Sequence, residues 1–337
     1  MRVAVAGAGL LGRLLAVSLT RAGHEVHVYD PAAGPDARGA AGWTAAGMLS
    51  PLAELETMDR RSFEWGLRSI ALWPSILASL PLPVESSFEG SLLVSHRADA
   101  GAARRVLDLL ARKAPDGYQA QALDAAALTA LEPSLRAGPQ AWLLPGEGRI
   151  HTVQAMQALA AAAPDACWHW STAVQETGAR TLTIEGRTER FDWVFDVRGL
   201  GARSQLPLRG VRGEIFWLKA PEVRLGRPVR FLHVRHRVYL VPRAPDIVVV
   251  GASEIESEDL SPVSVRTTVE LLAAAHSIVP ALAEARIVHC ETNLRPAMPD
   301  NQPVLECSPG LTRINGLFRH GWLLAPAMVE TALESFP

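Results

Sequence analysis

Cysteine is scarce in this chain of 337 residues, and its placement excludes two classes of protein. The three cysteines, Cys167, Cys290 and Cys307, are odd in number and far apart. They therefore predict neither a disulfide framework nor the closely spaced ligands of a structural zinc site. Free thiols fit a reducing compartment, so we expect a cytoplasmic location.

A large net charge and long apolar runs are also absent. The formal net charge is −2 at pH 7, which gives no reason to expect nucleic acid or an anionic membrane as a partner. No apolar run reaches the roughly 18 residues of an integral membrane segment, and no signal peptide is recognisable. With 48% hydrophobic and 20% charged residues, the composition indicates a globular protein of about two domains. Composition leaves open whether the chain forms a homo-oligomer.

The first thirty residues carry the strongest motif. An apolar stretch is followed by Gly7-Ala8-Gly9-Leu10-Leu11-Gly12, a helix-compatible stretch, and a second apolar run that ends at Asp30. In this pattern Gly7 permits a tight turn, Gly9 lets the backbone approach a pyrophosphate, and Gly12 lets the helix pack on the strand. The helix N-terminus attracts phosphate, and Asp30 would accept hydrogen bonds from a ribose. The pattern predicts a dinucleotide site without specifying the dinucleotide.

Later segments outline the rest of the fold. An apolar strand predicted at 191–196 runs into Arg198-Gly199-Leu200-Gly201-Ala202, which predicts a second close approach of backbone to a ligand. Period-two alternation between 211 and 251 predicts an antiparallel sheet. Thr152 is expected to cap a helix, and a final helix is predicted near Ala327 to Glu334.

The order of these segments predicts a discontinuous α/β (α+β) protein. The N-terminal unit is too short for a complete Rossmann domain, and the antiparallel stretch comes late. We therefore expect a Rossmann-type domain built from residues 1–85, 140–212 and 290–337. An inserted substrate-binding domain, with an antiparallel sheet and helices, would comprise 86–139 and 213–289.

Several motifs, taken in order, resemble one family. They are the N-terminal fingerprint, Ala45-Ala46-Gly47-Met48-Leu49, the Gly199 turn, Val238-Tyr239-Leu240-Val241-Pro242-Arg243, Leu294-Arg295-Pro296 and Phe318-Arg319-His320-Gly321-Trp322-Leu323-Leu324-Ala325-Pro326. Their order and spacing resemble the FAD-dependent amino-acid oxidase superfamily, and within it the glycine-oxidase branch of bacterial thiamine biosynthesis. The resemblance implies FAD rather than NAD. The cysteine that tethers flavin in sarcosine-oxidase relatives is missing from Pro296-Ala297-Met298, so non-covalent FAD is expected.

The resemblance also implies where FAD lies. The ADP half would lie on the fingerprint, namely Gly7, Gly9, Leu10, Leu11, Gly12 and Asp30, with the backbone of Val174 at the adenine and Gly199 nearby. The isoalloxazine would lie along Ala46, Gly47 and Met48. Its pyrimidine side would face Arg319, His320, Gly321, Trp322, Leu323 and Leu324, where a helix N-terminus stabilises negative charge.

The reaction implied by the resemblance is oxidative deamination of glycine or another small amino acid or amine. A hydride leaves the α-carbon for flavin N5, the imine hydrolyses to a 2-oxo acid, and O₂ reoxidises the flavin to give H₂O₂. The protein must then hold a carboxylate and orient the α-carbon. Arg295 is the candidate for the carboxylate, through a planar two-bond fork. Tyr239 is a second donor, and Arg319 would contact flavin or substrate.

Three other functions remain open at this stage. They are a flavin dehydrogenase of D-amino acids or N-methyl amino acids that passes electrons to a quinone, an NAD-linked reductase with the same first turn, and a flavin-binding protein without turnover. His233, His236 and His320 invite a general-base role, but we interpret them as structural or solvated because the superfamily does not generally rely on a protein base. The acidic cluster Glu54, Glu56 and Asp59 is interpreted as a solvated helix face or a lid.

Overall fold

The computed structural model describes residues 1–115, 117–136, 138–232 and 237–337. In chain order, the strands are β1 (Arg2–Ala6), β2 (Glu25–Tyr29), β3 (Met48–Leu49), β4 (Ser86–Ser87), β5 (Ser91–Ser95), β6 (Gln121–Leu123), β7 (Gln140–Leu144), β8 (Gly148–Ile150), β9 (Cys167–His169), β10 (Val174–Gly178), β11 (Thr181–Ile184), β12 (Arg187–Arg190), β13 (Trp193–Asp196), β14 (Arg209–Lys219), β15 (Val229–Leu232), β16 (Arg237–Arg243), β17 (Ile247–Gly251), β18 (Arg286–Ala297), β19 (Val304–Ser308) and β20 (Leu311–Asn315). The helices are α1 (Leu10–Arg21), α2 (Ala41–Thr44), α3 (Pro51–Glu54), α4 (Arg60–Ala78), α5 (Ala100–Lys113), α6 (Ala125–Leu131), α7 (Thr152–Ala161), α8 (Val265–Ile278) and α9 (Gly321–Glu334). Short 3₁₀ turns lie at Arg97–Asp99, Gly199–Ala202 and Pro280–Glu284.

A six-stranded sheet carries the N-terminal glycine turn. Its strand order is β19-β20-β13-β1-β2-β9, and β1 pairs in parallel with both β2 and β13. Only the edge strand β19 runs antiparallel, against β20. The glycine turn follows β1 directly, at the carboxyl edge of the parallel strands, where open α/β sheets bind ligands.

The two faces of this sheet are covered differently. On one face, α1, α7 and α9 pack against apolar strand residues such as Val3 and Val5, and Trp73 of α4 joins the same cluster. On the other face, the three-stranded sheet β10-β11-β12 packs through Leu182 and Ile184. The apolar burial on both faces explains why the parallel strands read as continuous hydrophobic runs. The predicted Rossmann-type α/β fold is confirmed.

The second large sheet forms the other half of the molecule. Its order is β18-β14-β17-β16-β15-β5-β7-β6, and most neighbouring pairs are antiparallel. Helix α8 covers one face, where Leu271 and Ile278 pack with Phe216 and Val250. The predicted antiparallel region at 211–251 therefore forms the centre of this sheet.

Strand pairing also bears on the predicted domain boundaries. β7 belongs to the eight-stranded sheet, whereas the predicted division assigns 140–212 to the nucleotide-binding domain. β14 and β18 pair along most of their length, and each runs across a predicted boundary. The sheet that a strand joins depends on residues far away in the sequence, so the domain boundaries cannot be predicted from local sequence patterns. The division into two domains stays a prediction.

Two helix ends differ from the predictions for identifiable reasons. The side chain of His151, not Thr152, caps α7 by accepting from the Gln154 amide. The last helix begins at Gly321 and not near Ala327, although Pro326 lies within it. Proline leaves the carbonyl four residues earlier without its usual donor. Here the indole nitrogen of Trp73 donates to that carbonyl, Trp322 O, at 3.0 Å.

Candidate active site

The three glycines of the first turn serve two different purposes. Gly7 has φ +108°, and a Cβ there would lie 2.6 Å from the carbonyl oxygen of Val197. A Cβ on Gly12 would lie 1.8 Å from the Gly7 carbonyl oxygen. Both glycines are therefore required by packing of the protein itself. At Gly9 the nearest atom to an added Cβ would be the Cβ of Ala40, at 3.6 Å, so the protein leaves this space for something else.

The start of α1 and the end of β2 form an anion-binding edge. Asp30 accepts hydrogen bonds from the amides of Ala8, at 2.6 Å, and Ala32, at 2.8 Å. These bonds fix the carboxylate beside the glycine turn. Helix α1 has no side-chain cap and no acidic residue in its first turn. Its free amides and positive dipole end therefore remain available to an anion.

One cavity of about 1320 Å³ connects the glycine turn to the second sheet. Small-molecule sites usually measure about 300–1,000 Å³, so this cavity has room for a dinucleotide and a small second ligand. The predicted site residues that line it are Gly7, Gly9, Leu10, Leu11, Asp30, Ala46, Gly47, Met48, Val174, Gly199, Tyr239, Arg295, Arg319, His320, Gly321, Trp322 and Leu323. Gly12 and Leu324 lie behind the wall in the packed interior.

The second glycine-rich turn is held by an arginine. Arg198 forms an ion pair with the buried Asp196, at 2.7 Å, and its Nη1 donates to the carbonyl oxygen of Val174 at 2.9 Å. Gly199 follows with φ +55°. Arg198 thus ties the strand that ends at Asp196 to the strand that begins at Val174, and it shapes the predicted adenine end of the cavity.

Arg295 and Tyr239 line the same cavity where it meets the second sheet. Arg295 Nη1 donates to the Ser253 carbonyl at 3.0 Å. Among the described residues, no carboxylate oxygen lies within 4.0 Å of its nitrogens. A Cβ on Gly213 would lie 2.5 Å from the guanidinium carbon, and a Cβ on Gly251 would lie 2.6 Å from the Tyr239 hydroxyl. Two glycines therefore make the space that the two candidate donors occupy.

A cluster of charged side chains forms the neighbouring wall. Glu54 pairs with Arg230 and, at 2.9 Å, with Arg319. Arg319 pairs again with Glu254 at 2.9 Å, and His320 Nδ1 lies 3.6 Å from Glu54. Arg319 thus has both terminal nitrogens engaged, Nη1 by Glu254 and Nη2 by Glu54 and Thr57, while its Nε–H remains without a protein acceptor among the described residues.

Burial and charge set the protonation states in this wall. Burial lowers the pKa of His320 to about 4, although Glu54 opposes the shift. Burial alone would raise the pKa of Glu54, but Arg230 and Arg319 hold it well below its ordinary value. Burial raises the pKa of Tyr239 and lowers that of Arg295. At neutral pH, Glu54 is therefore anionic, His320 neutral, and Tyr239 a protonated donor.

The interpretation of the acidic cluster as a solvated face is wrong for Glu54. This side chain is buried, at 8% exposure, and it bridges three elements. Asp59 instead caps α4 by accepting from Ser62 N, and Glu56 lies nearer the surface, 3.7 Å from Arg237. One feature of the sequence could have predicted this buried charged cluster, namely the charged Arg230 within an otherwise apolar strand. The predicted roles of His233 and His236 lie outside the described residues.

The cavity fits a dinucleotide with an apolar ring system. The space at Gly9, the uncapped helix α1 and the fixed Asp30 suit the pyrophosphate and ribose, and Met48 and Trp322 offer apolar surface further along. In the described part of the chain, no cluster of three potential ligands could hold a metal ion. None of the described helices has the length and hydropathy to cross a bilayer. The fold and site define a dinucleotide-binding protein of the Rossmann type.

Comparison with known proteins identifies the family. Residues 2–333 match the model of the DAO family of FAD-dependent oxidoreductases, and the chain belongs to this family. It is 39% identical over 332 residues to a Rhizobium etli protein assigned as the thiamine biosynthesis oxidoreductase ThiO, covering 97% of this chain and 94% of that protein. It is 27% identical to a Geobacillus kaustophilus glycine oxidase, covering 96% and 89%. The crystal structure of glycine oxidase from that organism matches with a TM-score of 0.85 at 26% identity, covering 99% and 93%.

These matches confirm several predictions. The chain is an FAD-dependent oxidoreductase of the glycine oxidase/ThiO type, and its cofactor is FAD. The alternative of an NAD-linked reductase is therefore excluded.

Proposed function

We propose that the protein oxidatively deaminates glycine or another small amino acid or amine, with O₂ as the electron acceptor, to give a 2-oxo acid and H₂O₂. One observation carries the proposal. Arg295 has no carboxylate partner within 4.0 Å among the described residues, and it shares a cavity with the glycine turn. A guanidinium held this way suits a ligand carboxylate. The glycine oxidase and ThiO relatives support the substrate class.

The residues at this end of the cavity have distinct proposed roles. Arg295 binds both carboxylate oxygens through a planar fork, and the Ser253 carbonyl orients its guanidinium. Tyr239 donates its hydroxyl hydrogen to the same carboxylate. Arg319 contacts the ligand through its Nε–H, while Glu54 and Glu254 fix the direction of its guanidinium. These contacts restrain the α-carbon in one orientation, which is the main contribution of a protein to cofactor chemistry.

The cofactor has its own proposed contacts. The fingerprint residues would hold the ADP half of FAD. The isoalloxazine ring would lie along Ala46, Gly47 and Met48, and the loop at 319–324 would contact the far edge of that ring. When bound, FAD supplies the acceptor for the hydride that leaves the substrate α-carbon, and O₂ then accepts both electrons. The three cysteines are exposed, and none lines the cavity in the described part of the chain, which supports non-covalent FAD. Acid precipitation should then release all flavin into the supernatant.

A substrate panel with two acceptors tests the proposal. Purified holoenzyme is supplied with glycine, sarcosine and D-amino acids, and H₂O₂ and 2-oxo acid are measured under air. Glycolate, which has the carboxylate but no amine, serves as the negative control. Stoichiometric H₂O₂ with at least one amine supports the proposal. Turnover only with an added quinone would favour the dehydrogenase, and no turnover with any amine would contradict both.

A further inference from the structure

A second arginine lies close behind the cavity wall and, unlike Arg295, does not line the cavity itself. Arg243, the last residue of β16, is 3% exposed. Its Nη2 donates to the carbonyl oxygens of Ala45, at 3.4 Å, and Ala46, at 3.3 Å, and contacts Thr152 Oγ1 at 3.0 Å. Its guanidinium also stacks over the Trp217 ring, 4.3 Å from the centroid. The arginine is therefore fixed against one short backbone segment.

Arg243 has no carboxylate partner among the described residues. No carboxylate oxygen lies within 4.0 Å of it in the part of the chain that the structure describes, and its Nε and Nη1 have no hydrogen-bond partners there. Glu85, the carboxylate with the largest electrostatic effect on Arg243, is paired with Arg149. Burial lowers the pKa of Arg243 to about 10, so it stays cationic at neutral pH. Burying a charge without an opposite charge costs free energy of folding. The position of Arg243 therefore indicates a function other than stability.

The segment that Arg243 holds faces the ligand cavity. Ala45, Ala46 and Gly47 all line it, and Gly47 is pressed against Ile150, whose carbonyl oxygen would lie 2.0 Å from an added Cβ. Ala46 also packs in one apolar cluster with Tyr239. This part of the wall therefore lies between the pyrophosphate end and the proposed carboxylate site, where the redox-active ring of FAD belongs.

We propose that Arg243 is a positioning residue that holds a positive charge behind the Ala45–Gly47 backbone and thereby raises the reduction potential of the bound FAD. Reduction adds two electrons to the ring, and when only one proton follows, one negative charge remains in the cavity. A fixed cation in a poorly solvated wall stabilises that charge. The inference rests on FAD binding and on the proposed ring position. It is independent of which amine is oxidised.

The test measures the midpoint potential of FAD in purified holoenzyme, without substrate, by anaerobic dye-coupled reduction at pH 7. Arg243→Gln removes the charge but keeps an amide donor for Ala46. Arg243→Lys keeps the charge. Thr152→Val separates the hydrogen bonds from the charge, because it removes the hydroxyl that donates to Ala45 at 2.9 Å and accepts from Arg243 at 3.0 Å and changes no charge.

Arg243→Gln should shift the equilibrium toward oxidised FAD at least tenfold, which is about 30 mV for a two-electron couple. Arg243→Lys and Thr152→Val should each change it less than threefold. An unchanged potential in Arg243→Gln, or an equal shift in Thr152→Val, overturns the proposal. Arg243→Met replaces Arg243→Gln if the latter loses FAD. If neither uncharged variant retains FAD, an unchanged potential in Arg243→Lys supports the proposal and a tenfold shift overturns it. The midpoint potentials are measured without substrate, so they test this proposal even if the substrate panel shows no oxidation of any amine.

Discussion

The assignment of Arg295 makes the sharpest prediction about binding. Arg295→Lys keeps the positive charge but replaces a planar fork with a single ammonium. Arg295 Nη1 is also oriented by the carbonyl oxygens of Ser253, at 3.0 Å, and Arg212, at 3.3 Å. Lysine cannot reproduce that geometry. We therefore expect weaker binding of any carboxylate ligand while FAD stays bound.

The magnitude follows from the bond that is lost. A hydrogen bond to a charged group contributes about 1.5–3 kcal/mol. Since about 1.4 kcal/mol corresponds to a tenfold change in Kd, losing one arm of the fork should weaken binding about 10- to 150-fold. The flavin absorbance reports this directly in a titration with glycolate, and KM for the best amine should rise in parallel.

The control for this variant is Arg266→Lys. Arg266 lies at the surface with its side chain 84% exposed, so its replacement should change neither Kd nor KM. A Kd for glycolate within threefold of the wild type in Arg295→Lys, with FAD fully bound, would refute the carboxylate assignment. Loss of FAD in that variant would instead show that Arg295 supports the cofactor.

Three further predictions concern single positions. Gly213→Ala should displace the guanidinium of Arg295 and raise KM at least tenfold with FAD retained, measured by peroxide release; an unchanged KM would contradict the packing argument. Gly9→Val should keep the fold by circular dichroism, because an added Cβ meets only Ala40 at 3.6 Å, yet lose FAD; a fully yellow variant would place the pyrophosphate elsewhere. The pKa of buried His320 is lowered to about 4 from 6.5, so the unfolded chain binds more protons between these values. The free energy of unfolding should fall by roughly 3 kcal/mol as pH drops from 6.5 to 4. His320→Asn should reduce that fall, as measured by urea titration at each pH. The same fall in the wild type and in His320→Asn would contradict the lowered pKa of His320.

Features encoded by neighbouring residues were predictable from the sequence. The glycine turn and Asp30 lie within thirty residues of each other, and strand, helix and acid each have a local pattern. Most strands between 209 and 251 also follow from alternation. The structure adds the reason for each glycine: Gly7 and Gly12 are required by packing, whereas Gly9 faces the cavity.

Features that depend on distant partners were not predictable. Glu54 resembled a surface acid because its partner Arg230 is 176 positions away, and no local pattern joins them. The early start of α9 was missed because Pro326 suggests a helix break, and the donor that compensates for it comes from Trp73. Arg243 formed part of the family motif, but its contact with Ala46 requires the two sheets to be assembled.

The pairing of β1 with β13 has a consequence for how the protein is made. The amide of Arg2 bonds to Asp192, 190 positions later. A ribosome adds about 5–20 residues per second, so the first strand waits roughly 10–40 s for this partner. Such non-local pairing slows folding. During that interval the nascent chain can pair β1 with β2, but the edge of β1 that faces β13 in the finished sheet stays unpaired.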